Sequence, residues 1–233
     1  MERYIKYLST LAALFVFWII TFLAGARLFG CGFGTLEEYL ERYWGGFSSV
    51  NVRCIYWLLL QLPVYLWIYF RQIGRMKWIY PQILLRGGNF RRYHRLEMLK
   101  NAGLVLGYYF MGVGEMYLLS SFCGDTVIGD ISFVVQTLFR QTVGMGSLLL
   151  FALILHEAAF PAVESFVLAL LVQCGMILGG KSVFTLNQMG RDAGEAQTAC
   201  LILAMICLAL LWEIERRLVF VWLEKEMGES GHG

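Results

Sequence analysis

The sequence predicts an all-α, polytopic integral membrane protein with about six transmembrane helices. Three observations carry this prediction. Of the 233 residues, 58% are hydrophobic and only 15% are charged, and the charges gather in short clusters between long apolar runs. Those runs reach the roughly 20 residues that a hydrocarbon core about 30 Å thick requires of a helix. They are also continuous, without the period-two alternation over about ten residues that marks a barrel strand. Backbone polar groups find no water in lipid, so a spanning segment satisfies them within a helix or a closed barrel. The continuous runs select the helix.

The spans follow in order within a single transmembrane domain. The first runs from about Ile5 to Phe29. Arg3 and Lys6 mark its start, and Ala24-Gly25-Ala26 has the small residues of a cleavage site. The apolar stretch is too long for a signal core, however, and it is read as a retained helix. The second span covers about Arg53 to Phe70, the third Ala102 to Phe122, and the fourth Ile131 to Leu155. The fifth covers about Phe160 to Gly180 and the sixth Ala199 to Trp222, whose charged last turns project from the membrane. A segment over about 71–101 separates the second and third spans.

Orientation comes from the basic residues, which favour the cytoplasmic side. Arg71, Arg75, Lys77, Arg86, Arg91, Arg92, Arg95 and Lys100 lie between spans two and three, with Glu97 the only acid. The loop between spans three and four holds Asp125 and Asp130 and no basic residue. Arg216, Arg217 and Lys225 add basic charge at the C-terminal end. Six spans place these clusters on one side, with both termini in the cytoplasm; Lys181 and Arg191 count weakly against it. The expected location is the cell membrane.

The segment after the first span is then external. Thr35 and Glu38 have the spacing of a capping box. Leu36, Leu40, Tyr43 and Trp44 share a face, which predicts a short helix lying on the outer interface.

The cytoplasmic segment carries the most information. Trp78 to Leu85 is apolar, and Gly87-Gly88-Asn89 breaks the helix. Phe90 to Lys100 reads as a second amphipathic piece, with Phe90, Tyr93, Leu96 and Leu99 near helical spacing. Two short helices at a glycine elbow suit insertion into a groove on a soluble partner. A polybasic strip lying on anionic lipid fits the same charges, at about 1 kcal/mol per basic residue.

The stretch Ile83-Leu84-Leu85-Arg86-Gly87-Gly88-Asn89-Phe90-Arg91-Arg92-Tyr93 resembles the coupling segment of small permeases in the type-two export class of ATP-binding cassette transporters. The six-span plan, chain length and cytoplasmic termini resemble them too. Gly88-Asn89 departs from the more basic turn expected there. The resemblance implies a permease without its own ATP site. Such a subunit pairs with a second permease, the same or different, and docks a separate ATPase that holds ATP and magnesium. It implies Arg86, Gly87, Arg91, Arg92 and Tyr93 as the coupling residues. It also implies export of a peptide or lipid-like substrate, including antimicrobial peptides or immunity to them.

Other motifs fail their context. Gly175 through Gly180-Lys181-Ser182 matches the phosphate-loop pattern, but that loop needs a strand before it and a nucleotide-binding domain around it. Gly175 and Gly179 better suit close helix packing. Glu37-Glu38 with Arg42 resembles one motif of intramembrane CAAX-type proteases, yet His94, His156 and His232 do not fall within the spans. The chain has no G-x-S-x-G elbow. Six cysteines form no CxxC pair, so no zinc site is expected. The net charge of +2 carries no signature of a nucleic-acid partner.

Ionisable groups within spans are costly and mark candidate functional residues. Glu115 and Arg140 fall at similar depth, about 10–14 Å from the outer ends of their helices. They are expected to pair, within or between subunits. The alternative function built on them is a stand-alone channel or ion-coupled carrier. Glu157 and Glu164, with His156, flank the start of span five, where acids favour the helix dipole. Cys31, Cys54 and Cys123 fall near the outer face, where a disulfide can form in an oxidising compartment.

Overall fold

The computed structural model describes residues 2–44, 52–86, 89–124, 129–158, 160–179 and 205–221. Among these residues the chain is helical with no strand. The helices are α1 (Glu2–Phe29), α2 (Leu36–Trp44), α3 (Val52–Trp78), α4 (Tyr80–Leu85), α5 (Phe90–Phe122), α6 (Ile131–Glu157) and α7 (Ala162–Gly179). A further helix, α8, covers 205–221.

The bundle has two ends, identified by which termini touch. At one end the Tyr56 hydroxyl near the start of α3 donates to the Thr21 carbonyl of α1. Here too the Asp130 amide, just before α6, donates to the Glu37 carboxylate of α2 at 3.2 Å. At the other end the Tyr69 hydroxyl of α3 donates to the Ala162 carbonyl at the start of α7. The last turns of α8 meet the first turns of α5 there, through Glu215 and His94. Arg71, Arg75, Arg86, Arg91, Arg92, Arg95 and Lys100 all belong to this second, basic end.

Three described helices are long and apolar enough to cross a membrane: α1 over Ala12–Phe29, α5, and α6. In α7 the described apolar stretch, Ala162–Val172, is shorter. α8 lies within the sixth predicted span. α3 has the length, at 27 residues, but its middle carries Gln61, Pro63, Tyr65 and Tyr69. Pro63 removes one backbone donor from that turn. In the next turn back, Tyr108 of α5 donates to the Leu60 carbonyl.

One boundary differs instructively from expectation. The amphipathic piece 90–100 and the third span are a single 33-residue helix, α5. At 1.5 Å per residue it is about 50 Å long, well beyond the roughly 30 Å hydrocarbon core. α3 likewise runs on to Trp78 rather than stopping near Phe70. The basic end is therefore built on the ends of long helices, not on a separate strip.

The opposite end is closed by aromatic packing. Gly30, at φ +90°, ends α1 in a conformation that side chains with a Cβ rarely adopt. Its amide donates to the Ala26 carbonyl and its carbonyl accepts from the Tyr43 hydroxyl. Thr35 caps α2 by accepting from the Glu38 amide at 3.3 Å. Leu36, Leu40, Tyr43 and Trp44 do share a face, as expected, but that face is buried in the protein, against α1, α3, α5 and α6. The reason is steric. Gly25 of α1 leaves room for Tyr43 and Tyr56, since an added Cβ would lie 2.7 Å from the Tyr43 ring. Gly112 of α5 does the same for Trp18. Small residues let α1, α2 and α5 approach, and α2 fills the end of the bundle instead of resting on its surface.

The basic elbow as candidate functional site

α3 ends at Trp78, α4 follows almost at once, and α5 begins at Phe90. Pro81 in the first turn of α4 has no backbone N–H to leave orphaned, which suits it to that position. Asn89 starts α5 by accepting a hydrogen bond from the Arg92 amide at 3.0 Å. The break expected at the glycine turn is therefore real. Gly87 and Gly88 themselves lie outside the described residues.

Between α4 and the first turns of α5 opens a cleft of about 500 Å³, lined by Ile79, Gln82, Ile83, Arg86, Asn89, Arg92, Tyr93 and Leu96. Of the expected coupling residues, Arg86, Arg92 and Tyr93 thus share one cleft. Arg91 is exposed beside it without lining it. The Tyr93 hydroxyl accepts from Arg75 at 3.3 Å and its ring meets Tyr80 edge-on. Around the cleft Trp78 and Leu85 are 73% and 77% exposed. The elbow so presents apolar and cationic groups together.

The buried face of the start of α5 is not the apolar one expected. Leu96 and Leu99 are exposed, whereas Phe90, His94, Glu97 and Asn101 are buried. From Phe90 onward the buried line follows polar groups that have partners inside. The carboxylate of Glu97, 1% exposed, is held by Arg75, by Lys100 at 2.8 Å and by Arg71 at 3.7 Å. Burial opposes its ionisation, but the hydrogen bonds and charges of Lys100 and Arg75 outweigh this and hold it below the usual carboxylate range.

Deeper in, the side chains form a continuous chain of hydrogen bonds. Asn101 Nδ2 donates to Gln72 Oε1 and Gln72 Nε2 donates to the Tyr80 hydroxyl. That hydroxyl meets His94 Nδ1 at 3.2 Å, and His94 Nε2 meets Glu215 Oε2 at 2.8 Å. Burial pushes the Tyr80 hydroxyl well above its ordinary value. The chain runs from α5 through α3 and α4 to α8. His94, met in the sequence only as a histidine outside the spans, stands at its centre. The signal that could have found it is the four-residue spacing from His94 back to buried Phe90, which puts both on one helical face.

Glu115 of α5 and Arg140 of α6 are both buried, and no hydrogen bond joins them among the described residues. Both carboxylate oxygens of Glu115 accept from no described residue. Arg140 donates to Gln136, one turn earlier on its own helix. A second, apolar cavity of about 250 Å³ lies among α3, α5, α6 and α8, lined by Asn101, Val105, Thr142, Gly146 and Trp212 among others. Neither Glu115 nor Arg140 lines it. Glu164 is exposed at the start of α7. Cys31 and Cys123 are exposed at the α2 end, and the Cys54 side chain lies outside the described residues, as do Gly180, Lys181 and Ser182. No group of three or more metal-ligating side chains occurs among the described residues.

No protein-family model, curated protein or solved structure matches this chain. The described residues define a class, an all-helical protein in which three described helices are long and apolar enough to cross a membrane.

Proposed function

We propose that this chain is the permease subunit of an ATP-binding cassette exporter, with six spans and both termini in the cytoplasm. In this reading the elbow docks a separate ATPase, a second permease subunit completes the path, and a peptide or lipid-like substrate crosses the plasma membrane. One observation carries the proposal. The cleft between α4 and α5 joins cationic and apolar side chains at the point where two long helices, α3 and α5, run unbroken into the bundle. A helix from a partner seated there has hydrophobic side chains to bury and arginines to pair with its acids. Because α3 and α5 are continuous, movement of the docked partner passes directly into them. ATP can drive such a cycle only by binding one state better than the other.

An affinity purification of the tagged chain from mild detergent tests this, with Arg86→Glu and Arg92→Glu as the comparison. A soluble ATPase is expected with the native chain and not with the double variant. No ATPase with either protein rejects the exporter. The same result favours a second reading, a self-sufficient channel or carrier, which draws on the buried carboxylate of Glu115 that accepts from no described residue.

A further inference from the structure

We propose that His94, Glu215 and Glu157 form one proton-binding site that fastens the elbow to α6 and α8. The proposal does not depend on what the elbow docks.

The site lies where helix ends meet at the basic end, beyond the apolar runs. His94 and Glu215 are fully buried and in contact at 2.8 Å. Glu157, the last residue of α6, is 9% exposed and both its oxygens accept from no described residue. It stands close enough to Glu215 for their charges to interact. With histidine neutral and both acids ionised, the cluster would hold two buried negative charges. Buried charges persist when paired, and an unpaired one costs several kcal/mol, which in practice is avoided by taking up a proton.

The described neighbours supply no cation to Glu157. From α3, Arg71 and Arg75 are committed to Glu97, and the Tyr69 hydroxyl donates to Ala162. Lys100 of α5 is also on Glu97. Arg216 of α8 reaches Glu213. On α6 itself, His156 is turned to the Phe160 carbonyl. The acid of α7, Glu164, is exposed. On α4, Tyr80 accepts from Gln72, which frees its own hydrogen for His94 Nδ1 and leaves Nε2–H facing Glu215. Glu215 therefore has its donor, and Glu157 is the group that holds the proton. When that proton leaves, two like charges face each other across α6 and α8, and α8 is pressed away from the elbow it secures through His94.

The sign follows from proton counting. The folded chain binds a proton at Glu157 that the unfolded chain has released above about pH 4.3. Stability therefore falls as pH rises until the site empties. Infrared spectroscopy of the purified full chain reads the proton directly, as the carbonyl stretch of a protonated carboxyl group. Glu115→Gln removes from the spectrum the other described carboxyl group whose two buried oxygens both accept from no described residue. In that background the band is expected at neutral pH and should fade only as pH rises into the alkaline range. Glu157→Gln should abolish it and flatten the loss of thermal stability over the same range. Absence of the band from the Glu115→Gln protein at neutral pH overturns the proposal even if Glu157→Gln fails to fold. An unchanged band in Glu157→Gln overturns it equally.

Discussion

Replacing Gly112 by alanine tests the packing of α1 on α5. An added Cβ at Gly112 would sit 2.5 Å from Cζ2 and 2.6 Å from Cη2 of Trp18. Non-bonded carbons rest at about 3.5–4.0 Å, so the ring must retreat by about 1 Å. Trp18 is 3% exposed and its ring packs against Phe17, Trp44 and Tyr108. Overpacking of this kind costs about 1–3 kcal/mol. Removing a mid-helix glycine returns about 0.5–1 kcal/mol. The net expectation is a loss of about 1–2 kcal/mol. Gly107 and Gly114 on the same helix face open space, so alanine there collects only the gain. The assay is thermal unfolding of the full chain in one detergent, comparing the three variants. At about 2–4 °C per kcal/mol, Gly112→Ala should melt roughly 3–12 °C below Gly107→Ala. Adding Trp18→Phe should relieve part of the loss, because the Trp18 indole N–H donates to no described residue and no hydrogen bond is forfeited. If Gly112→Ala melts at or above Gly107→Ala, α1 does not pack on α5 as described.

Two further outcomes follow. Glu97 is ionised and clasped in the fold, so it contributes stability that is present above about pH 4.3 and lost as pH falls through its lower folded value. Glu97→Gln should cost about 1–3 kcal/mol at neutral pH and remove that acid-side loss, read from unfolding midpoints measured against pH. At the opposite end, Glu115 accepts from no described residue, so Glu115→Gln should leave stability unchanged or raise it. A large loss that is not additive with the loss from Arg140→Gln would instead mean that the two pair across a subunit interface.

What the sequence made legible was local. The Thr35 cap, the break before Phe90 and the amphipathic face of α2 all rest on neighbours a few residues apart, and each is found. Whether that face meets lipid or protein is not a property of its pattern, since Leu36 and Tyr43 serve either solvent. The polar face of α5 was invisible for another reason. His94 and Glu97 look like members of a solvated basic stretch, and His94 meets its partner Glu215 from 121 residues away. The continuity of α5 was hidden because charges at its start imitate a loop. The pairing of Glu115 with Arg140, within or between subunits, was expected from depth, and depth carries no information on helix rotation.

The contact between Gly112 and Trp18 has a mechanical consequence. It divides α5 unequally: about 33 Å of helix lies between it and Phe90, and about 15 Å between it and Phe122. Turning about that point as a rigid rod, α5 is a lever with arms in a ratio of about two to one. A displacement of the elbow is halved at the far end and the force there is doubled. Such gearing converts a wide swing at the basic end into a small, forceful shift among the rings packed at the other.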